Sequence, residues 1–327
     1  MMHAQVSSAS RRRAALFVIG SIITDLVVRV KKAPEEGETV IGSDFGRYPG
    51  GKGANQAVAA AKLGARVGLL GRVGDDLFGA DQLTSIGQAG VDTSYIGKDA
   101  DLPSGVASIV VDEQGRNRIA IVPGANNEIT PALVDNVREQ IAAADLLLLQ
   151  LELPLETNLH AIALAGEVGT PVVLNPAPAP AEPLDPQVLA KVDILTPNEV
   201  EAEQLVGMPV KTVDDAVQAA RRLLGFGVRR VAVTLGNKGA LVMEGEGPNA
   251  GLPTHIPPYK VQAVDTVAAG DAFNGALAVR LALGDNLVEA AKYANAVAAV
   301  SVTRHGAQPA MPTQEEVERF IRAQQAG

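Results

Sequence analysis

The segment Asp265-Thr266-Val267-Ala268-Ala269-Gly270-Asp271 sets two carboxylates at either end of a run of small residues, and the apolar run Ala272–Leu283 follows. Ala268, Ala269 and Gly270 carry almost no side chain, so their backbone N–H groups can approach a ligand closely. At a helix start those N–H groups are unpaired, and the helix dipole favours an anion there. A phosphoryl group in transfer gathers charge on its oxygens and would be stabilised at such a place. Asp271 would stand beside the reacting phosphorus, able to orient and deprotonate an attacking hydroxyl. A lone Asp here reads as a helix cap. Two alanines and a glycine before it, with a second Asp upstream, favour the catalytic reading.

Two further clusters invite chemistry. Gly50-Gly51-Lys52-Gly53-Ala54-Asn55-Gln56-Ala57 leads into an Ala-rich helix that stops at Gly64. Its spacing is neither that of a dinucleotide fingerprint nor that of a P-loop. It suggests a backbone lying against a ligand, with the Asn55 amide offering both a donor and an acceptor. In Thr196-Pro197-Asn198-Glu199-Val200-Glu201, Pro197 ends a strand, and Asn198 and Glu201 share one face of a new helix. That pair suits a water-coordinated Mg²⁺ or, equally, a solvated helix start. His3, His160, His255 and His305 form no metal-ligand spacing, and no G-x-S-x-G element occurs, so zinc-enzyme and serine-hydrolase readings lack support.

These residues must be held by something. Leu16–Ile19, Leu146–Leu149, Val172–Leu174, Ile194-Leu195 and Val231–Val233 are short apolar runs ending in polar residues. Helical segments such as Val58–Leu63 and Val213–Leu224 lie between them. The alternation predicts an α/β fold, a mostly parallel sheet flanked by helices. Ligands of such sheets bind beyond the strands' carboxyl ends. The polar residues there are Asp25, Glu152, Asn175, Asn198, Thr234 and Gly236; each alone is an ordinary turn former, and together they mark a place to look. Two regions, about 26–48 and 104–122, read as exposed strands without helices: Val27–Val30, Thr39–Ile41, Val106–Val111 and Arg118–Val122. Asp112-Glu113-Gln114-Gly115 suggests a hairpin turn. They predict a small β-sheet that closes over a ligand as a lid or pairs with a second subunit. Residues 1–13 read as a flexible extension and 14–327 as one domain carrying that lid.

The composition is compatible with this plan. The 327 residues are 47% hydrophobic and 20% charged, with a net charge of −9, which disfavours nucleic acid as a partner. Arg11–Arg13 precede the apolar stretch Ala14–Ile23, as in a signal peptide, but Asp25 cuts the stretch short and no small-residue cleavage site follows. No cysteine occurs, so disulfides and thiolate metal sites are excluded, and a cytoplasmic, membrane-free location is expected.

With these residues assembled, the chain resembles the ribokinase-type family of carbohydrate kinases from about Leu16 to Phe320. The likeness rests on Gly-Gly-Lys-Gly-Ala-Asn at 50–55, Asn-x-x-Glu at 198–201, Asp-Thr-x-Ala-Ala-Gly-Asp at 265–271 and Thr-Arg-His-Gly-Ala-Gln at 303–308. The resemblance implies ATP-dependent phosphorylation of a sugar, ribose by default, in a homodimer formed through the lid. It places the sugar at Asp25, Gly51, Lys52, Asn55, Glu152 and Asp271. The nucleotide falls at Asn198, Thr234, Gly236, Gly239, Gly270 and Asn295, and Mg²⁺ at Glu201 through water. An activating K⁺ falls at Asp265, Val267, Ser301, Arg304, Gly306 and Ala310, largely through backbone carbonyls; Ala310 stands where the family often has Ser. Several carboxylates around the acceptor would repel a sugar phosphate and suit a free polyol.

One departure bears on the substrate. The family's first sugar segment usually reads Gly-Ser-x-Asn-x-Asp, and here it is Gly20-Ser21-Ile22-Ile23-Thr24-Asp25. Ile23 cannot hydrogen-bond, so either it points into the core or it marks acceptance of 2-deoxyribose, as an apolar residue does in kinases that look like deoxyribokinase. Hexoses and nucleosides are further acceptors to weigh, though aromatics are only 3% of the chain, which makes base stacking less favoured. A sugar- or nucleotide-sensing protein on a kinase fold is the non-enzymatic alternative.

Overall fold

Leu16 and Val18 are buried in one hydrophobic cluster, while Phe17 and Ile19, between and beyond them, are buried in another. A strand that alternates between two cores must be covered on both faces, which is why it is apolar throughout. This is the first strand of a computed structural model that describes residues 12–180 and 183–326. The expected extension over 1–13 therefore lies outside the described residues, except for Arg12, which pairs with Asp145, and Arg13, whose Nε donates to Gly64 O at 2.9 Å.

In chain order the first seven strands are β1 (Ala15–Ile19), β2 (Ile23–Val30), β3 (Gly42–Gly50), β4 (Arg66–Gly74), β5 (Val91–Asp92), β6 (Ile96–Asp99) and β7 (Gly105–Val111). Then come β8 (Asn117–Val122), β9 (Leu146–Gln150), β10 (Val172–Asn175), β11 (Ile194–Leu195), β12 (Arg230–Thr234), β13 (Ala240–Glu244) and β14 (Thr254–Ile256). Among the described residues, ten of them form the main sheet, in the order β14-β13-β12-β11-β10-β9-β1-β4-β5 with β6 added to β4. It is parallel except where β13 meets β12 and β14. Helices cover it on both sides, so the expected architecture holds.

The other four strands form a separate small sheet, β3-β2-β7-β8. Its boundaries correct one expectation. Thr39–Ile41 is not a strand, and Ile41 is 93% exposed. The strand is instead Gly42–Gly50, a segment with three glycines and a proline whose intrinsic β preference is poor. Antiparallel pairing with β2, Val28 opposite Phe45 and Asp25 opposite Tyr48, makes it a strand. The hairpin at Asp112–Gly115 forms as expected, with Gly115 N donating to Asp112 O at 2.9 Å.

Two helices position the polar residues singled out in the sequence. Lys52–Lys62 begins immediately after the glycine pair, well before Val58, and Ala269–Ala282 follows the Ala-Ala-Gly run. They pack at backbone distance: a Cβ on Gly275 would lie 2.7 Å from Gln56 O and 2.8 Å from Ala59 Cβ. One turn before Gly275 is Asp271, and one turn before Ala59 are Asn55 and Gln56. Small residues at the crossing thus bring those polar side chains together.

Candidate active site

A cleft of about 700 Å³ lies between the ends of the main-sheet strands and one face of the small sheet. Asp271 is at its floor, 6% exposed, in the first turn of the helix Ala269–Ala282. It does not cap that helix, which has no side-chain cap. Its Oδ2 accepts from Asn55 Nδ2 at 2.9 Å and its Oδ1 from Gln56 Nε2 at 3.0 Å. Burial pushes the Asp271 carboxyl above the ordinary aspartate range, while the Lys52 ammonium and the Gln56 and Asn55 amides pull it back. A raised carboxyl suits a base that must take a proton near neutrality.

Ala268, just before that helix, is the one non-glycine residue with positive φ among the described residues (58°). For an alanine this costs about 1–2 kcal/mol; Ala268 itself lines the cleft. Ala269 N is engaged by a long bond to Thr266 O at 3.3 Å. Gly270 has open space where a side chain would be, so an anion can approach its backbone.

In the glycine-rich segment Gly51, Lys52 and Asn55 line the cleft, and the glycines also serve packing. The space beside Gly51 and Gly53 is taken largely by the protein's own backbone: a Cβ on Gly51 would lie 2.6 Å from Ile23 N, and one on Gly53 2.5 Å from Gly20 C. The glycines let the helix start dock on the β1–β2 connection. Ala54 N donates to Ser21 O at 3.0 Å, and Lys52 N to Glu152 Oε2 at 3.0 Å. Glu152, also held by Ser21 Oγ, thereby places its charge at the positive end of this helix.

Asp25 is on β2 of the small sheet rather than at the end of a main-sheet strand, and with Gly51, Lys52, Asn55 and Glu152 it lines the cleft. Burial, then the Glu152 and Asp271 charges, push its carboxyl up to about 7, opposed by Lys52. Burial works to lower the Lys52 ammonium, but Asp271, Glu152, Glu201 and Asp25 together outweigh it and hold it above the usual lysine value. Ile23 is only 3% exposed and faces this same cleft.

Glu201 also lines the cleft. It closes a reciprocal cap with Asn198: Glu201 Oε2 accepts from Asn198 N at 2.8 Å, and Asn198 Oδ1 accepts from Glu201 N at 2.8 Å. Burial raises its carboxyl, against Asn198 N–H and Lys52. Thr234 is bridged to Asn198 across the strand ends, and Gly236 follows with φ of 54°. Gly239 and Asn295 meet at one place, since a Cβ on Gly239 would lie 2.1 Å from Ile256 O, to which Asn295 Nδ2 donates at 3.4 Å. Asn198, Thr234, Gly236, Gly239, Gly270 and Asn295 do not line the cleft, though Asn198 is bonded to cleft-lining Glu201 and Gly270 directly precedes Asp271.

Asp265 ties two loops together, accepting from Val267 N and Gly306 N at 3.0 Å each. Ser301 Oγ is turned back on Ala298 O, and the Arg304 side chain is taken by Glu316. Any cation held here would therefore meet mainly backbone carbonyls, a donor set that suits K⁺. Ala310 is buried in a short turn anchored by Lys62, whose Nζ donates to Gln308 O and Met311 O at 3.0 Å each. No group of three or more His, Cys, Asp or Glu side chains able to hold a metal occurs among the described residues.

Three residues join the site that the sequence did not single out for a role. Gln56 belongs to the glycine-rich motif, Gln150 closes the Leu146–Leu149 run, and Tyr48 packs from β3 toward Gly306. The one available signal is Gln150, a polar residue ending a wholly apolar strand. No helix among the described residues is long and apolar enough to cross a membrane.

Residues 13–314 match the pfkB family of carbohydrate kinases. The chain is 42% identical over 304 residues to a deoxyribokinase of Salmonella typhi, covering 93% of this chain and 97% of that protein. It is 42% identical over 306 residues to a ribokinase of Bacillus subtilis, covering 93% and 98%. The structure of Arabidopsis thaliana ribokinase complexed with ribose and ATP superposes with a TM-score of 0.87 at 33% identity, covering 95% of this chain and 99% of that one.

Proposed function

The chain belongs to the pfkB family of carbohydrate kinases, and from that premise we propose that it transfers the γ-phosphoryl group of ATP to the 5-hydroxyl of D-ribose. The observation that carries this reading is Asp271, buried at the cleft floor with both oxygens on neutral amides and none on its own helix. The acceptor hydroxyl gives its proton to Asp271 as its oxygen bonds to the γ-phosphorus. The bond from phosphorus to the β,γ-bridging oxygen breaks, and ADP leaves. Backbone N–H groups at Ala268–Gly270 meet the charge that develops on the transferring oxygens. Asp25, Gly51, Lys52, Asn55 and Glu152 bind the sugar, and the carboxylates among them disfavour an already phosphorylated acceptor.

The nucleotide is bound by Asn198, Thr234, Gly236, Gly239, Gly270 and Asn295. Glu201, in the cleft lining, would hold a hydrated Mg²⁺, which would neutralise phosphate charge when bound. Asp265, Val267, Ser301, Arg304, Gly306 and Ala310 would hold an activating K⁺, largely through backbone carbonyls. The small sheet acts as the lid. Its cleft-side face leaves Ile119 and Ile121 about half exposed, at 52% and 47%, and a second copy's small sheet covers it in a homodimer.

Ile23 favours a second reading, 2-deoxyribose as the acceptor, because it presents hydrocarbon to the cleft. A ribose hydroxyl left unpaired against it loses roughly 1–3 kcal/mol, about ten- to a hundredfold in kcat/KM. The test is ADP release with MgATP and KCl, offering ribose, 2-deoxyribose, fructose and adenosine in parallel. Turnover with a pentose is expected, with a loss of about 10²–10⁴-fold in Asp271→Asn while ATP binding by calorimetry survives. In Ile23→Asn the ribose-to-deoxyribose ratio rises if Ile23 meets the sugar and is unchanged if it does not. Turnover with neither pentose sinks the substrate assignment.

A further inference from the structure

Behind Asp271 is a cluster of neutral amides, none of which lines the cleft. Gln56 and Gln150 are fully buried, and Asn175 is 6% exposed. The Gln56 amide is saturated: Nε2 donates to Asp271 Oδ1 at 3.0 Å and to Asn175 Oδ1 at 3.1 Å, and Oε1 accepts from Gln150 Nε2 at 2.7 Å.

Amide orientation is usually a matter of choice between oxygen and nitrogen, but here a backbone group decides it. Asn175 Nδ2 donates to Thr196 O at 2.9 Å. A carbonyl can only accept, so Asn175 must turn its nitrogen there and its oxygen toward Gln56. Gln56 must then present its NH₂ group to Asn175 and, with the second hydrogen, to Asp271. Its oxygen is left for Gln150, whose own oxygen lies against Gly20: a Cβ there would be 2.2 Å away. Gln150 and Asn175 are the last residues of β9 and β10, and Thr196 follows β11. Three neighbouring strand ends therefore fix one amide.

We propose that Gln56 is the positioning residue of the catalytic base: Gln150 and Asn175 lock its amide so that Asp271 Oδ1 always meets a donor, leaving Oδ2, beside the cleft-lining Asn55, to take the substrate proton. The inference rests on the reading of Asp271 as base. The other groups facing Asp271 are Lys52 at the start of the helix that carries Gln56, Asp25 on β2 and Glu201 after β11. Of these only Lys52 favours the carboxylate, so the Gln56 amide is one of few stabilisers of the ionised form. A base that flips or stays protonated is lost to the reaction without any change in nucleotide binding.

The test is the pH dependence of kcat in wild type, Gln56→Met, Gln150→Met and Asp271→Asn. Gln56→Met keeps length and removes the donor. It should move the acid limb of kcat to higher pH by about one unit, so that the loss is about tenfold below the limb and is recovered above it, with KM for ATP unchanged within about twofold. Gln150→Met touches neither Asp271 nor the cleft, and should move the limb the same way by less. A loss equal at every pH, or an unmoved limb in both variants while Asp271→Asn is inactive, overturns the positioning role alone. If Gln56→Met does not fold, Gln150→Met decides by the same limb. Wild-type turnover in Asp271→Asn would overturn the base reading itself, and this inference with it.

Discussion

The floor of the cleft and the small sheet above it are built on opposite terms. At the floor, Asn55, Gln56, Gln150 and Asp271 are almost wholly buried and bonded to one another across helices and strand ends. Above it, all six residues of β8 are exposed, and Gly50, Gly105 and Gly124 stand where three strands join the main body. Asn126 pins that junction, accepting from Ile22 N and donating to Ile22 O, each at 2.9 Å. Groups that must meet a reacting atom within a fraction of an ångström are on the rigid side. The small sheet, proposed above as the lid, is on the side with little to hold it in one place.

The same substitution should therefore act very differently in the two regions. In Gly53→Ala the new Cβ meets the Gly20 backbone at 2.5 Å, which cannot yield without moving the helix that carries Asn55 and Gln56. About 3 kcal/mol of stability should be lost, and most of the turnover with it. Gly115→Ala in the small sheet has nothing within 4 Å, only a φ of 76° that an alanine tolerates at about 1–2 kcal/mol. Its turnover should stay within about twofold. Chemical denaturation and steady-state rates on the pair check this; equal losses in both would remove the contrast.

That contrast also governs what could be seen in the sequence. Parallel strands were legible because both faces are buried, as in Leu146–Leu149, and Asp271 because small residues beside a carboxylate are a chemical signal. The amides behind it were not, since Gln56 and Gln150 carry no charge and meet only through the fold. β3 was illegible for another reason: nothing in its glycines and Pro49 favours a strand, and the pairing with β2 creates it. Thr39–Ile41, with the right residue types, has no partner strand and is not one.

Asp25 spans the two regions, its backbone in the small sheet and its carboxyl among the charges of the floor. Its folded pKa of about 7 lies above the ordinary aspartate value of 3.8, so the folded chain binds more protons than the unfolded one between about pH 4 and 7. The stability this group contributes is fully present below about pH 4 and is lost as pH rises through about 7. Asp25→Asn should therefore stabilise the sugar-free protein at pH 8 by about 1–3 kcal/mol, raising its Tm by a few degrees, and leave it unchanged near pH 4. Sugar affinity should fall at pH 8, since the carboxylate is the better acceptor for hydroxyls. Calorimetric scans at the two pH values decide it; an equal Tm change at both would detach the effect from ionisation.

The smallest effect on the folded chain belongs to the outer sheet. Ile119 is half exposed on β8, opposite Ile109 of β7, on the face toward the cleft. A charge there meets water in a lone chain, so Ile119→Asp should change the stability of the monomer by no more than about 0.5 kcal/mol. In the proposed dimer the same carboxylate would be buried against the partner's apolar face without a counter-charge, and association should be lost. Sedimentation of wild type and Ile119→Asp at equal concentration measures this. A dimer that survives the aspartate would mean that the two copies meet elsewhere, and the exposed face would then belong to the lid alone.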